Sequence, residues 1–408
     1  MSYNYLIVGA GFFGATIAER LANAGKSVLI IDRRPHLAGN AYSYTDQSTG
    51  IEIHQYGSHI FHTEDDEVWY YITKFTDFNN YVHTVLTRHH GKLYPMPINL
   101  DTINLFYGKH FTPKAAEGSI AQIAKQDVLK YQIKNPKNLE EKGISLIGEK
   151  LYHAFIKNYT EKQWGTSAKN LSPELLKRIP VRFSHDHRYF ASAKYQGIPK
   201  NGYTQIVKKM LDSPLIEVRL NTDFKDLALS SPQLQPHNPQ THNSSRSQLS
   251  ALSSSQPCPI FSADFKIIYT GPVDELLKYE LGVLPYRSLR FETRWSKTED
   301  TGCAVINEAD AKIPYTRTHN YKYYQIHQQT VMNSQKTYLC QEYPAPYAPG
   351  EEPYYPVNNK ASASLYQKYL KLLHDRYPNL TPGGRLGAYQ YWDMDVAIKN
   401  ALTLAKTL

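Results

Sequence analysis

The 408-residue chain has three cysteines, Cys258, Cys303 and Cys340, and no CxxC pair among them. An odd number so widely spaced supports neither a disulfide framework nor a thiolate zinc site, and a reducing cytoplasm is the expected setting. No run of eighteen apolar residues occurs, so no membrane insertion is expected. The chain opens on an apolar β-branched stretch without a basic leader, so a standard secretion signal is not expected either. The net charge is +9, yet the basic residues are scattered and form no block that would read as a nucleic-acid arm. A phosphorylated small molecule suits that charge better than nucleic acid.

What the chain has in excess is tyrosine, 33 residues of it. A phenol offers a flat apolar face and a hydroxyl donor, which suits a ligand with flat and anionic parts, although most tyrosines simply pack. With 41% hydrophobic and 20% charged residues the composition is that of a globular protein, and the length suggests two or three domains.

The first residues carry the strongest local signal. Tyr3 to Val8 reads as a strand that breaks into Gly9-Ala10-Gly11-Phe12-Phe13-Gly14 and then into helical periodicity at Ala15, Ile17, Ala18, Leu21 and Ala22. Gly25 ends that helix, and Ser27 to Ile31 gives a second strand closed by Asp32. Gly9, Gly11 and Gly14 let backbone approach a pyrophosphate at a helix N-terminus, and Asp32 can accept from ribose hydroxyls. Arg33, Arg34 and the run Ala38-Gly39-Asn40-Ala41 follow so closely that FAD is expected rather than the shorter NAD.

His59 and His62, in Gly57-Ser58-His59-Ile60-Phe61-His62, stand three apart without the H-E-x-x-H pattern or a nearby carboxylate or thiol, so no metal is expected. Between 98 and 178 the pattern is helical, and Ile144, Ile147, Leu151 and Phe155 fall on one face. Tyr159-Thr160-Glu161-Lys162-Gln163-Trp164-Gly165 reads as a loop, either closing over a ligand or connecting elements at the surface. Gly202 to Met210 reads as a helix and Ile216 to Leu220 as a strand. Residues 230–258, rich in Ser, Gln, Asn, His and Pro, read as a partly disordered surface loop. Phe265 to Pro272 is a strand ending in Gly271, where ligands of open α/β sheets commonly lie. Gly383-Gly384-Arg385-Leu386, near the end, could bring backbone amides to a flavin.

Together with Arg178-Ile179-Pro180-Val181-Arg182-Phe183 and Glu352-Pro353-Tyr354-Tyr355-Pro356-Val357, the motifs at Gly9, Gly57, Tyr159 and Gly383 resemble the bacterial UDP-galactopyranose mutases, in family order over nearly the whole chain. The resemblance implies an α/β fold: a discontinuous Rossmann-type FAD-binding domain (1–78, 197–278 and 356–408), a helical domain (98–178), and a six-stranded antiparallel sheet domain (79–97, 179–196 and 279–355). It also implies the reversible interconversion of UDP-galactopyranose and UDP-galactofuranose without net redox. In the family, N5 of reduced FAD attacks the anomeric carbon, expels UDP and holds the sugar as a covalent adduct while its ring reopens and recloses. A cytoplasmic homodimer supplying galactofuranose for cell-surface glycans is the implied setting.

By the same resemblance Arg178 and Arg317 bind the pyrophosphate, and Tyr189, Tyr355 and Tyr391 donate to its oxygens. Phe155 and Tyr159 form the uracil platform, Trp164 rides on a closing loop near the sugar, and Arg287 and Glu342 line the sugar side. Asp393 lies near the nucleotide and cofactor, and His59 lies beside the flavin. Phe13, Arg33, Gly39, Asn40, Ile60, Val218, Gly271 and Arg385 complete the cofactor site. His83 stands where many relatives have a sugar-contacting asparagine, and the 230–258 loop is longer than usual. The rival readings are a flavin oxidase or desaturase and a catalytically silent nucleotide-sugar binding protein; the Arg and Tyr constellation argues against the first, and retention of both arginines against the second.

Overall fold

A computed structural model describes residues 2–178, 181–236 and 260–408, without the side chains of 177, 178, 230, 232 and 260. Cys258 and most of the expected 230–258 loop therefore lie outside the described residues.

Five parallel strands form one sheet in the order Leu380–Pro382, Ile260–Tyr269, Ser2–Val8, Val28–Ile31, Ile216–Arg219. Every residue of Val28–Ile31 is buried, as an unbroken apolar run covered on both faces of a parallel sheet requires. Helix Phe12–Asn23 follows the first strand with Gly11 as its N-cap, and no side chain caps it, so its first amides stay available. Helix Met394–Ala405 packs beside it. Helix Gly202–Met210 and strand Ile216–Arg219 form where the periodicity places them.

A second sheet runs in the order Tyr355–Pro356, Tyr286–Ser296, Thr337–Pro346, Arg317–Asn320, Val305–Glu308, Val85–His89, Lys92–Met96. Six of these are full strands, and Tyr355–Pro356 adds a two-residue seventh at the edge. The sheet is antiparallel except where Val305–Glu308 runs parallel to Val85–His89.

The helical region holds Leu100–Tyr107, Pro113–Lys130 and Leu139–Leu151, the last kinked at Gly148, whose φ of 76° and ψ of 162° are not helical. The last winds into a π-helical stretch, Tyr152–Lys157, and then into helix Asn158–Trp164. The four residues expected on one helical face are all buried, Ile144 at 4% exposed, Ile147 at 2%, Leu151 at 0% and Phe155 at 2%, but Gly148 breaks the helix between Ile147 and Leu151, so the single face is not formed. The Tyr159–Gly165 stretch is not the loop that its glycine suggested. It continues the helix, and Gly165 serves as the left-handed C-cap at φ 64°, a conformation glycine adopts without a Cβ penalty.

Candidate active site

The carboxyl ends of the parallel strands open into a cavity of about 250 Å³. Gly9, Gly11, Phe13, Gly14, Asp32, Arg33, Gly39, Asn40, His59, Gly271, Arg385 and Asp393 all line it. Gly9 sits at φ +110°, and a Cβ there would lie 1.9 Å from Thr270 Oγ1; one on Gly14 would lie 2.1 Å from the Gly9 carbonyl. Those two glycines are required by the protein itself. Gly11 is different: a Cβ there would meet only the Gly39 Cα, at 3.9 Å. A bound pyrophosphate drawn to the uncapped helix N-terminus gives the absence of a side chain at Gly11 a purpose, and in this respect the cavity fits a dinucleotide.

Asp32 is buried, and its carboxylate accepts from the Ala10 amide at 2.8 Å and the Arg34 amide at 2.9 Å, which ties the glycine turn to the end of the second strand. Arg33 and Arg34 both pair with Glu352, which joins this wall to the second sheet's connecting segment. Thr222, Asp223, Phe224 and Lys225 also line the cavity and were not foreseen, although Asp223 follows a parallel strand at its carboxyl end and could have been flagged on that ground. Val218 lines neither cavity. It pairs with Ile30 in the sheet and packs against the core beneath helix Phe12–Asn23, so the contact expected of it falls to these later residues.

A second cavity, of about 500 Å³, lies between the two sheets and the helical region. Ile60, His83, Tyr159, Trp164, Tyr189, Arg317, Glu342, Tyr355 and Tyr391 line it, and Asn40, His59, Arg385, Asp393 and Met394 line both cavities. The two spaces thus share one wall. Asp393 is the N-cap of helix Met394–Ala405 yet makes no capping hydrogen bond, which leaves its carboxylate to that wall.

Arg317 faces Glu342 directly across neighbouring antiparallel strands. Its Nε lies 3.5 Å from Glu342 Oε1, an ion pair rather than a hydrogen bond, and its Nη2 contacts the Tyr159 hydroxyl. Burial pushes the Glu342 carboxyl up, but Arg317, His319 and Thr316 outweigh it and hold it at about 2. Burial pushes the Tyr159 phenol up to about 12 against the pull of Arg317, so it remains a donor. His319 and Ser58 were missed by the sequence reading. Tyr324 donates to Ser58, Ser58 Oγ lies 2.6 Å from His319 Nδ1, and His319 Nε2 lies 3.2 Å from Glu342 Oε2. Because the carboxylate can only accept, the proton of the neutral imidazole sits on Nε2, and Nδ1 accepts from Ser58. Arg317 and His319 are two apart on one strand and so share a face, which is the signal that could have found His319.

His59 Nδ1 lies 2.9 Å from the Gly57 carbonyl, which fixes the proton there and leaves Nε2 as an acceptor. Burial pushes His59 down to about 4 and His83 to about 3. His83 lies among rings, 5.7 Å from Phe190 and 5.4 Å from Tyr189.

Phe155 and Arg287 stand elsewhere than expected. Phe155, in the π-helical stretch beyond the Gly148 kink, packs its ring into the core against His89, Tyr94 and Phe106, so it lines neither cavity. Arg287 lines neither cavity: its Nε donates to the Gln163 carbonyl at 3.2 Å, and its guanidinium lies over Gly165, so it caps the helix that carries Trp164. The backbone of Arg178 ends a 3₁₀ turn, Pro173–Arg178, and its side chain lies outside the described residues, as do Ile179 and Pro180.

Residues 154–391 match the family model of the UDP-galactopyranose mutases, and residues 7–75 match that of NAD(P)-binding Rossmann-like domains. A Klebsiella pneumoniae protein named "Probable UDP-galactopyranose mutase" is 36% identical over 98% of this chain and 94% of its own length. The dTDP-fucopyranose mutase of Escherichia coli is 35% identical over 98% of this chain and 97% of its own. In fold, the crystal structure of a reduced UDP-galactopyranose mutase superposes with a TM-score of 0.69 at 16% identity, covering all of this chain and 93% of the other. With the family model spanning more than half of the chain and two curated mutases aligned along its length, the chain belongs to the UDP-galactopyranose mutase family.

Proposed function

We propose that this protein interconverts UDP-galactopyranose and UDP-galactofuranose, with FAD in the first cavity and the nucleotide sugar in the second. The observation that carries the reading is the shared wall of Asn40, His59, Arg385, Asp393 and Met394, which sets a dinucleotide and a sugar side by side. FAD in its reduced form would supply a nucleophilic ring nitrogen at that wall.

The chain's own residues have to hold the leaving group. Glu342 holds the Nε side of Arg317 and Tyr159 its Nη2, so that Nη1 is oriented for a phosphate oxygen, and a permanently charged donor serves UDP both leaving and returning. Tyr189, Tyr355 and Tyr391 donate to the remaining oxygens. Arg178 keeps its place as the second pyrophosphate arginine on the family motif alone. His59, neutral with an acceptor at Nε2, orients the cofactor side without adding charge, and Trp164 closes the cavity over the sugar. Glu342 acts through Arg317 rather than on the sugar.

A three-domain division with the cleft at its centre belongs to this reading and is supported by the origins of the strands in the two sheets. So does a cytoplasmic homodimer that feeds galactofuranose to surface glycans, in keeping with the free Cys303 and Cys340. Among the described residues no helix is long and apolar enough to cross a membrane.

The similarity to a dTDP-fucopyranose mutase favours one second reading, a dTDP-sugar substrate. Purified protein should be yellow and should convert UDP-galactofuranose to the pyranose after dithionite reduction and not before. Conversion of dTDP-fucofuranose alone would establish the second reading, and a colourless protein inactive on both would overturn the first and the second together.

A further inference from the structure

Lys162 lies one turn after Tyr159 on helix Asn158–Trp164. Its ammonium donates to four main-chain carbonyls of the segment between strands Val305–Glu308 and Arg317–Asn320: Glu308 at 2.7 Å, Ile313 at 2.9 Å, and Asp310 and Tyr315 at 3.1 Å each. Three N–H groups thus serve four acceptors, the arrangement of a cation in a carbonyl cage. The segment is also tied from its other side, where the Asp310 carboxylate meets His89 Nδ1 at 2.8 Å and accepts from the His90 amide at 2.9 Å.

The cage joins two pieces of the cavity that are distant in sequence. Tyr315, one of its carbonyls, stands two residues before Arg317; Lys162 itself stands three after Tyr159 and two before Trp164. The contact between Tyr159 and Arg317 therefore closes a loop whose other closure is the cage. Arg287 holds the same helix at its last turn through the Gln163 carbonyl, which restrains its end but not its distance from Arg317.

We propose that Lys162 is a positioning residue: its carbonyl cage sets how closely the helix bearing Tyr159 and Trp164 approaches Arg317 and thereby gives the second cavity its binding shape. The consequence for substrate rests on reading that cavity as the nucleotide-sugar site. Burial without a paired carboxylate costs the ammonium charge and lowers its pKa to about 8, against the opposing pull of Glu308 and Asp310. A group buried at that cost, whose hydrogen bonds all go to main-chain oxygens, is fixing geometry.

The test uses the FAD-loaded, reduced enzyme with Lys162→Met and Lys162→Ala. Removing the cage contact should raise KM for UDP-galactofuranose on the order of tenfold, with kcat changed by less than about threefold and flavin content as in the wild type, as for loss of ground-state binding. n-Propylammonium should restore KM in Lys162→Ala, and tetramethylammonium at equal ionic strength should not. An unchanged KM overturns the proposal, as does a joint fall of kcat, flavin content and Tm that propylammonium leaves in place. If the wild type is itself inactive on UDP-galactofuranose, the functional reading has failed and the positioning claim is read from amide hydrogen exchange. Protection of Glu161 to Gly165 should then drop in Lys162→Ala while the strands keep theirs, and equal protection overturns it.

Discussion

The rings of Tyr355 and Tyr391 lie 5.2 Å apart at an interplanar angle of 24°, with the Arg385 guanidinium 5.9 Å from one centroid and 5.5 Å from the other. Two phenols from separate motifs are thus held as one slab at the edge of the second cavity. Phenylalanine keeps the slab and removes only the hydroxyl. Tyr355→Phe and Tyr391→Phe should each weaken UDP binding about tenfold, as for a hydrogen bond to a charged acceptor, with Tm unchanged. Isothermal titration with UDP checks this, and affinity equal to the wild type in both variants would remove the tyrosines from the phosphate site.

Arg317 leaves a buried charge behind when it is removed. Arg317→Met strands the Glu342 carboxylate with only His319 and Thr316 beside it, so a stability loss of roughly 3–5 kcal/mol should accompany loss of turnover. Arg317→Lys keeps a cation near Glu342 and should recover most of the stability while turnover stays at least about a hundredfold down, because the fork geometry is gone. Denaturation curves and initial rates on the two variants separate the roles.

The glycines of the first turn should respond in different ways. Gly14→Ala pushes a Cβ against the Gly9 carbonyl and should cost about 1–3 kcal/mol of stability. Gly11→Ala has room within the protein and should fold with a near-normal Tm in the apo form, yet purify with little flavin. Thermal melts of the stripped protein and its absorbance near 450 nm after reconstitution read the two effects independently.

Four buried histidines set an acid limit. Burial lowers the pKa of His54 and His319, holds His59 at about 4, and holds His83 at about 3. His59 and His83 stay neutral in the fold down to about those values, whereas in the unfolded chain they protonate near 6.5, so the unfolded state binds more protons below that pH. The contribution of this pair is full above about pH 6.5 and falls as pH drops toward 4 and 3, by up to roughly 1.4 kcal/mol per pH unit for each of the two, and His54 and His319 act in the same direction. Tm measured from pH 7.5 to 4.5 should show this slope, and His83→Asn should flatten it by about one proton's worth. An identical slope in that variant would contradict a neutral His83.

Phe155 separates two inferences drawn from one residue. Its buried place in the π-helical stretch makes it core, whereas the family motif makes it part of the uracil site. Phe155→Leu should lower stability by about 1 kcal/mol and leave UDP affinity within twofold. A larger loss of affinity in titration would return the ring to the nucleotide.

What was legible in the sequence follows the range of the forces involved. The turn from Val8 to Gly14 and the Asp32 terminus are dictated by local backbone, and they form as read; the Ile144–Phe155 positions are buried as their periodicity implies, but Gly148 breaks the helix between Ile147 and Leu151, so they do not make one helical face. The helix at Tyr159–Trp164 was misread because a lone glycine marks a loop and a helix cap alike, and only the residues before it decide. His319 offered only its spacing from Arg317, because its partners, Ser58 and Glu342, come from other strands and turns along the chain. Arg287 was placed with the sugar because the motif records that an arginine is there, not which carbonyl it meets.

The wall common to both cavities limits how this protein can change. A substitution at Asn40, His59, Arg385, Asp393 or Met394 alters both cavities at once, so neither can be reshaped there without reshaping the other. His83, Phe190 and Val305 line the second cavity alone, so changes there reshape that cavity without touching the first.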